Sequence, residues 1–130
     1  DSDLIILSAA VADYKPANQV EGKIKKTEHE LNISLVKTVD ILQTLGNSKK
    51  KGQIVVGFAL ESANEENYAK DKLVRKNADY IILNSLRDAG AGFGTDTNRV
   101  SIFGKDGFVK KTKLSSKSEI ASEIINTIIA

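Results

Sequence analysis

Three short segments of the chain are continuously apolar, and longer segments with polar and helical patterns separate them. The apolar segments are residues 4–7, 54–59 and 80–83. Runs of this length without alternation are typical of strands that are buried on both faces of a parallel sheet. The pattern therefore predicts three inner strands of a parallel α/β sheet, with right-handed crossover connections between them.

Between the first two runs, the pattern changes twice. Residues 12–31 are polar and rich in lysine, and they contain Pro16, which is the only proline of the chain. We interpret this stretch as one long loop, and loops of that size in a compact domain are usually functional or mobile. Residues 31–36 alternate apolar and polar side chains, which predicts a strand with one exposed face.

Three helices are predicted from their capping residues and apolar positions. The first extends from an N-cap at Thr38 to Leu45 and ends at Gly46. The second begins at residues 62–65, where serine and glutamate have the spacing of a capping box, and residues 116–119 have the same spacing at the start of the third. The apolar stripe of this last helix consists of Ile120, Ile124, Ile125, Ile128 and Ile129.

Residues 100–109 have the pattern of a β-hairpin with an Asp-Gly turn, which we place outside the parallel sheet. Gly90, Gly92 and Gly94 form G-x-G-x-G, and a strand rather than a helix follows them. The dinucleotide-binding fingerprint needs a helix there, so this interpretation is rejected. The sequence thus predicts a Rossmann-like, three-layer α/β fold with a hairpin extension, in a single domain over residues 1–130.

Composition excludes several kinds of site. The chain has 41% hydrophobic and 28% charged residues, as a globular domain has, and no run long enough to span a membrane. It has no cysteine, which excludes disulfides, thiolate metal sites and a cysteine nucleophile, and its single histidine argues against a histidine-based metal site and a Ser-His-Asp triad. The net charge of +2 is too small to indicate nucleic-acid binding. The absence of cysteine fits a reducing compartment, and we expect a cytoplasmic protein.

Topology alone predicts where a ligand binds. In open α/β sheets, ligands lie outside the carboxyl ends of the strands. Small or polar residues occur at all three predicted ends: residues 8–10, Phe58 with Ala59, and Asn84. Small residues let a ligand approach the backbone closely, and Phe58 is suited to stacking on a base. The alternative for Phe58 is an ordinary position in the core.

Charged residues outside these ends have two interpretations each. Asp13 suits a ribose hydroxyl or a metal ion, or it is a solvated capping residue. Lys23 and Lys25 suit a polyphosphate over which a loop closes, or they belong to a solvated charge run. Lys72 and Lys76 lie one helical turn apart, which suits a phosphate chain or simply complements the negative end of the helix dipole.

Six motifs in order resemble one known family, phosphopantothenate–cysteine ligase. In many bacteria this ligase is the carboxyl-terminal domain of a bifunctional flavoprotein of coenzyme A synthesis. The resemblance extends over nearly the whole chain, and its first motif together with the K-I-K-K segment is specific. The motifs are S-A-A-V-A-D-Y-K-P (8–16), K-I-K-K (23–26), V-K-T-V-D-I (36–41), V-G-F-A-L-E (56–61), K-L-V-R-K-N-A-D (72–79) and G-F-G-T-D (92–96).

The resemblance implies a reaction in two steps. The carboxylate of 4′-phosphopantothenate attacks CTP to give an acyl-cytidylate and pyrophosphate, and the amine of cysteine then displaces CMP. It also implies bound magnesium, a homodimer and a flavin-dependent decarboxylase domain upstream in the same protein. Lys23 would neutralise the triphosphate and is the predicted catalytic residue. The resemblance places the following residues in the nucleotide pocket: Leu7, Ser8, Ala9, Asp13, Lys23, Asp40, Ile41, Leu42, Gln43, Phe58, Lys72 and Lys76.

The sequence departs from the family at its start. The family's glycine-rich first strand and its N-S-S-G-type loop precede the point that corresponds to Asp1, and the chain contains no methionine. We therefore expect a fragment that lacks part of the site and does not ligate by itself. Two other functions remain open: a nicotinamide-dependent reductase domain, which the missing dinucleotide loop disfavours, and a nucleotide-binding or dimerisation module without chemistry of its own.

Overall fold

The structure is a computed structural model, and it describes residues 2–26, 30–61, 64–85 and 94–130. The chain forms two compact units. One contains Asp1–Ala9 and Ile41–Ala130, and the other contains Ala10–Asp40. The strands are β1 (Leu4–Leu7), β2 (Tyr14–Pro16), β3 (Leu35–Lys37), β4 (Ile54–Glu61), β5 (Tyr80–Ser85), β6 (Thr97–Asn98), β7 (Val100–Gly104), β8 (Val109–Lys111) and β9 (Ser115–Ser116); the helices are α1 (Ile41–Ser48), α2 (Glu65–Arg75) and α3 (Lys117–Ile129).

The larger unit is built on a five-stranded sheet with the order β1-β4-β5-β7-β8. Strands β1, β4 and β5 are parallel, whereas β7 and β8 are antiparallel to their neighbours. The α/β Rossmann-like class is confirmed, but the hairpin is not outside the sheet as predicted, and the sheet is mixed. The reason is burial: Val100, Ile102 and Phe103 of β7 are almost fully buried, which requires cover on both faces of that strand.

Helices cover both faces of the sheet and form the predicted three layers. On one face, α3 packs its buried isoleucines against Val56, Ile82 and Ile102. On the other face, α2 and Leu42 of α1 pack against Ile81. Of the predicted stripe on α3, Ile120, Ile124 and Ile128 are buried, but Ile125 and Ile129 are exposed.

Strand β1 differs from its prediction. Leu4, Ile5 and Leu7 are half-buried, and Ile6 is exposed, so the strand is not buried on both faces. Within the described residues, β1 pairs only with β4 and lies at one edge of the sheet. An edge strand lacks one neighbour, and its side chains therefore keep more contact with water. The other two apolar runs are strands as predicted, and both extend one or two residues further.

The predicted ends of α1 are wrong at both termini. Thr38 does not cap the helix: its hydroxyl group donates a hydrogen bond to the carbonyl of Ala12 at 2.6 Å. Gly46 lies inside the helix and is buried. A Cβ atom at this position would overlap the carbonyl oxygen of Lys76 and lie against Asn77. The glycine is therefore required for close packing of α1 on the end of α2, and not for ending the helix.

The two predicted capping boxes have different outcomes. The N-cap of α2 is Asn64, which has a left-handed backbone (φ 51°) and makes no side-chain cap hydrogen bond. The predicted cap at Ser62 is therefore wrong as the N-cap, and residues 62–63 themselves lie outside the described residues. At α3 the prediction is confirmed, since the Ser116 side chain accepts from the Glu119 backbone and the Glu119 side chain accepts from the Ser116 backbone.

The smaller unit is a two-stranded ribbon in which β2 and β3 are antiparallel. The predicted loop over residues 12–31 thus contains a short strand, and the predicted strand at 31–36 is shorter and lies at 35–37. Both faces of β3 are exposed, although one buried face was predicted. Two strands of three residues each cannot bury a face between themselves. Of the described residues in this unit, Thr38 alone is not classed as exposed.

Candidate functional site

The parallel strands bring the predicted small and polar residues to one edge of the sheet. Leu7, the last residue of β1, lies beside Gly57 of β4, and Leu60 of β4 lies beside Asn84 of β5. Ser8 and Ala9 continue from the end of β1, and both are exposed. We call this end of the sheet, with residues 7–9, Phe58 and Asn84, the carboxyl edge.

Phe58 and Asn84 share one face of the sheet. Phe58 lies beside Ile82, and alternate residues of a strand point to the same face, so Asn84 follows Ile82 on that side. From strand spacing and rise, their Cα atoms are about 8 Å apart. Both side chains are half-buried. An aromatic ring and a carboxamide are thus available side by side at the carboxyl edge.

Lys72 lies against this edge from the opposite layer. It belongs to α2, and its Nζ atom donates a hydrogen bond to the carbonyl oxygen of Phe58 at 3.0 Å. A carbonyl group of β4 in a part-buried position thus receives a hydrogen bond from a charged donor. This contact ties α2 to the strand, which is a structural role that the spacing of the two lysines does not reveal.

Lys76 and the start of α1 form a second contact of this kind. Lys76 Nζ lies 3.5 Å from Oε1 of Gln43, at the limit of a hydrogen bond. The next residue towards the start of α1, Leu42, packs over Gly57, where a side chain on β4 would collide with it. Ile41 is exposed at the beginning of the helix. The structure therefore brings Gln43, Lys76 and Lys72 to the α1–α2 layer beside β4.

The remaining predicted residues lie in the smaller unit. Asp13 and Lys23 have exposed side chains, and the carbonyl of Asp13 accepts a hydrogen bond from the Thr38 backbone at 2.9 Å. Asp40 is also exposed. Lys23 lies between Gly22 and Ile24, which line a groove of about 630 Å³ within this unit. The roles of these three residues in binding stay predictions.

Two structural features of the larger unit were not predicted. Asn98 of β6 donates a hydrogen bond from Nδ2 to Oδ1 of Asn84 at 3.1 Å. At the opposite end of the sheet, the buried Asp79 forms ion pairs with Lys49 and Lys105, each at 2.8 Å. In the sequence, Asn98 stands two residues before the predicted hairpin strand that begins at Val100. This position alone does not reveal its contact with Asn84, because that contact depends on the pairing of β5 with β7.

Two absences can be stated of the described ranges. No helix in them is long and apolar enough to cross a membrane. No group of three or more acidic, histidine or cysteine side chains in them is arranged to hold a metal ion. The predicted glycine-rich loop at 90–93 lies outside the described residues, and Gly94, at its end, has a positive φ of 75°.

Comparison with known proteins identifies the family. The model of the DNA/pantothenate metabolism flavoprotein C-terminal domain matches residues 1–130. The chain belongs to this family. The expected ligase corresponds to the carboxyl-terminal domain of such flavoproteins, so the resemblance found in the sequence is confirmed at the level of the family.

Individual members of the family are similar over almost the whole chain. It is 46% identical over 129 residues to the coenzyme A biosynthesis bifunctional protein CoaBC of Bacillus subtilis (strain 168), covering 99% of the chain and 32% of that protein. It is 48% identical over 129 residues to a protein named cysteine/cysteine sulfinic acid decarboxylase from an unknown prokaryotic organism, covering 99% and 36%. The chain thus spans about a third of the length of these relatives.

A solved structure has the same fold. It is the crystal structure of the C-terminal domain of a coenzyme A biosynthesis bifunctional protein CoaBC, with a TM-score of 0.72 and 41% identity. The similarity covers 97% of this chain and 53% of that one. Chain and crystal structure therefore share the α/β architecture on which the carboxyl edge is built.

Proposed function

We propose that this chain forms the nucleotide-binding part of a ligase that joins 4′-phosphopantothenate to cysteine with CTP. The match to the flavoprotein C-terminal domain family over all 130 residues carries the proposal. Relatives named coenzyme A biosynthesis bifunctional proteins support the pathway. The carboxyl edge supports a nucleotide site, because it combines small residues and an aromatic ring at the end of an α/β sheet where ligands bind, and Lys72 approaches the same end from the opposite layer.

The proposed chemistry needs charge stabilisation more than a strong base. A carboxylate oxygen of 4′-phosphopantothenate attacks the α-phosphorus of CTP, and the bond to pyrophosphate breaks. The cysteine nitrogen then attacks the acyl carbon, loses a proton, and releases CMP as the amide forms. Negative charge grows on the leaving pyrophosphate in the first step, so positioned cations accelerate it. Lysines can supply such cations, so this chemistry is open to a chain that has one histidine and no cysteine.

Several of the predicted residues have surroundings that support a role in this proposal. Phe58 is half-buried and offers its ring to the cytosine, and the exposed Ser8 and Ala9, which follow the half-buried Leu7, have small side chains that let a ligand approach. Lys72 and Lys76 already lie against β4 and α1, so their ammonium groups are held in place before a phosphate chain binds. Lys23 is exposed and lies outside any helix or strand, which suits a group that moves onto the triphosphate.

Magnesium is proposed as a companion of the nucleotide. Magnesium ions at such sites are usually held by substrate phosphates with one or two carboxylates and several waters. The described residues contain no cluster of three ligands, and an ion carried by the triphosphate does not need one. Asp13 and Asp40 are exposed carboxylates that fit the smaller requirement. When bound, the ion would neutralise the phosphates.

The wider setting is also a proposal. We place the activity in the cytoplasm, in a homodimer, within a protein that carries a flavin-dependent decarboxylase domain. The relatives' description as bifunctional supports a second activity in the same protein. The relative that is named a decarboxylase shares only about a third of its length with this chain, and we attribute its decarboxylation to the remainder.

A kinetic comparison of two lysine variants tests the proposal. The protein is expressed from its complete reading frame, and amide formation is measured with 4′-phosphopantothenate, cysteine and CTP. We expect Lys23→Gln to lower kcat/KM for CTP by about 10- to 100-fold, as loss of a charged hydrogen bond does. Lys51→Gln is the matched control, because Lys51 is an exposed lysine in the turn before β4 at the other end of the sheet.

The outcomes separate the three candidate functions. Equal activity of the two variants would contradict the role of Lys23. Binding of CTP without any ligation by the wild-type protein would favour a nucleotide-binding module. Tighter binding of NADPH than of CTP in parallel titrations would favour the reductase domain.

A further inference from the structure

Two carboxamide side chains meet at the carboxyl edge, and their contact has a defined direction. Asn98 Nδ2 donates a hydrogen bond to Oδ1 of Asn84 at 3.1 Å. On its other side, Oδ1 of Asn98 accepts a hydrogen bond from the backbone N–H of Arg99 at 2.8 Å. Asn98 therefore bridges a fixed backbone donor and the side chain of Asn84.

The backbone donor fixes the orientation of both amides. An N–H group can be met only by the oxygen of the Asn98 carboxamide, so the nitrogen of Asn98 faces Asn84. That nitrogen is a donor, so Asn84 must accept the hydrogen bond with its own side-chain oxygen. The nitrogen of Asn84 consequently points away from Asn98. This order follows from hydrogen-bond chemistry alone.

The nitrogen of Asn84 is available to a ligand. Within the described part of the chain, Asn84 makes no side-chain hydrogen bond other than the one from Asn98. No buried side-chain nitrogen or oxygen atom in that part lacks a partner, so the Nδ2 atom of Asn84 reaches solvent. It does so on the face of the sheet that also carries Phe58.

The orienting residue is itself rigidly held. Asn98 pairs with Ser115 in the short antiparallel pair β6–β9, and the backbone N–H of Lys117 donates to the carbonyl of Asp96 at 3.0 Å. The next residue of β9, Ser116, forms the capping box of α3. Asn98 is thus fixed to the helix start and to the sheet at the same time.

We propose that Asn98 is a positioning residue, which holds the carboxamide of Asn84 so that its N–H groups face an acceptor atom of the bound nucleotide. The inference rests on the proposed function. Asn84 would contact the nucleotide, and Asn98 would act through Asn84. The pair makes this position a donor, which selects ligands that present an oxygen or an unprotonated ring nitrogen there.

Asn98→Asp reverses the arrangement with little change in shape. One carboxylate oxygen still accepts from the Arg99 backbone, but the other now faces Asn84 as an acceptor. Asn84 must then turn its nitrogen inwards and present its oxygen to the ligand. We expect KM for CTP to rise about tenfold or more, with kcat changed less than about threefold. Asn98→Ala leaves Asn84 free to turn and should have an intermediate effect.

A double-mutant cycle separates positioning from other effects. In an Asn84→Ala background there is no amide to turn, so adding Asn98→Asp should change KM for CTP by less than about twofold. A general effect of the new charge, or a purely structural role, would persist in that background. Urea unfolding of each variant shows that the compared proteins are folded.

The results either support or overturn the inference. Non-additive KM values in the cycle, with Asn98→Asp more affected than Asn98→Ala, support it. Additive values in a protein that binds CTP overturn it and leave the proposed function intact. If the wild-type protein does not bind CTP, the proposed function fails and this inference fails with it.

Discussion

Replacement of Asp79 by asparagine tests what stabilises the amino edge of the sheet, opposite the carboxyl edge. Asp79 precedes β5 and is only 6% exposed. Its Oδ1 atom accepts from Lys105 Nζ at 2.8 Å, and its Oδ2 atom accepts from Lys49 Nζ at 2.8 Å and from the Val55 backbone at 2.9 Å. One carboxylate therefore joins the turn after β7, the end of α1 and the start of β4.

The size of the effect follows from the surroundings of the three charges. Removing one member of a buried ion pair costs about 3–5 kcal/mol, because the partner stays buried without its counter-charge. The Lys49 side chain is 17% exposed, so its charge would stay largely buried without a counter-charge. The Lys105 side chain is 58% exposed, so water can solvate its charge when the ion pair is lost. Asparagine keeps an oxygen for the Val55 backbone. We therefore expect a loss of about 2–3 kcal/mol in the free energy of unfolding.

The pKa of Asp79 adds a dependence on pH. Burial by itself raises this pKa, but hydrogen bonds from Lys105, Lys49 and the Val55 backbone outweigh burial and hold it below its ordinary value. The ionised carboxylate thus stabilises the fold above the unfolded-state pKa of about 4, and this contribution is lost as the pH falls through the lower folded-state pKa. The difference between wild type and Asp79→Asn should accordingly shrink below about pH 4.

Urea unfolding at several pH values measures both effects. With an m-value of about 2 kcal/mol per molar urea, the expected loss moves the midpoint at pH 7 by about 1–1.5 M. Asp71→Asn is the matched control, since Asp71 is exposed on α2 and its replacement should change stability by less than about 0.5 kcal/mol. Equal midpoints for the two variants at pH 7 would refute the reasoning.

Three further predictions concern contacts described above. Gly46→Ala should lower the free energy of unfolding by about 1–3 kcal/mol in urea, because the added methyl group overlaps the backbone carbonyl oxygen of Lys76 and lies against the backbone of Asn77; an unchanged midpoint would contradict this. Ser116→Ala should cost about 1 kcal/mol through loss of the α3 cap, measured in the same way, and no loss would show the cap to be redundant. Lys72→Gln should raise KM for CTP and increase hydrogen exchange in the last turn of α2, where Lys72 lies, because its contact with the Phe58 carbonyl is weakened; a change in neither would exclude Lys72 from both roles.

Much of the fold was predictable because burial on both faces produces continuous apolar runs. This rule found β1, β4 and β5 as strands, but the degree of burial predicted for β1 was too high, because within the described residues β1 pairs with β4 alone. Gly46 was misjudged because a glycine that permits close approach has the same sequence pattern as one that ends a helix. The bounds of β2 and β3 were not predicted correctly, because neither strand has a buried face that would give its sequence an alternating pattern.

The site was predictable to the extent that topology determines it. Residues 7–9, Phe58 and Asn84 could be placed at one edge because carboxyl ends of parallel strands coincide. Asn98 could not, because its contact with Asn84 depends on the antiparallel register of β5 with β7, which places Val100 beside Asn84. The partners of Asp79 were hidden for the same reason, since Lys49 and Lys105 are 30 and 26 residues away along the chain.

Different interactions are found at the two ends of the sheet. Effects on ligand binding can therefore be separated from effects on stability. At the amino edge, the buried carboxylate of Asp79 is paired with two lysines, so a substitution of Asp79 should alter unfolding with little effect on KM. At the carboxyl edge, the Asn84 amide faces solvent and is oriented by a residue that belongs to the α3 framework. A substitution at Asn98 should therefore alter KM more than stability. Lys72 belongs to both groups because it holds α2 to β4 beside the proposed pocket, and its variant should affect both measurements together.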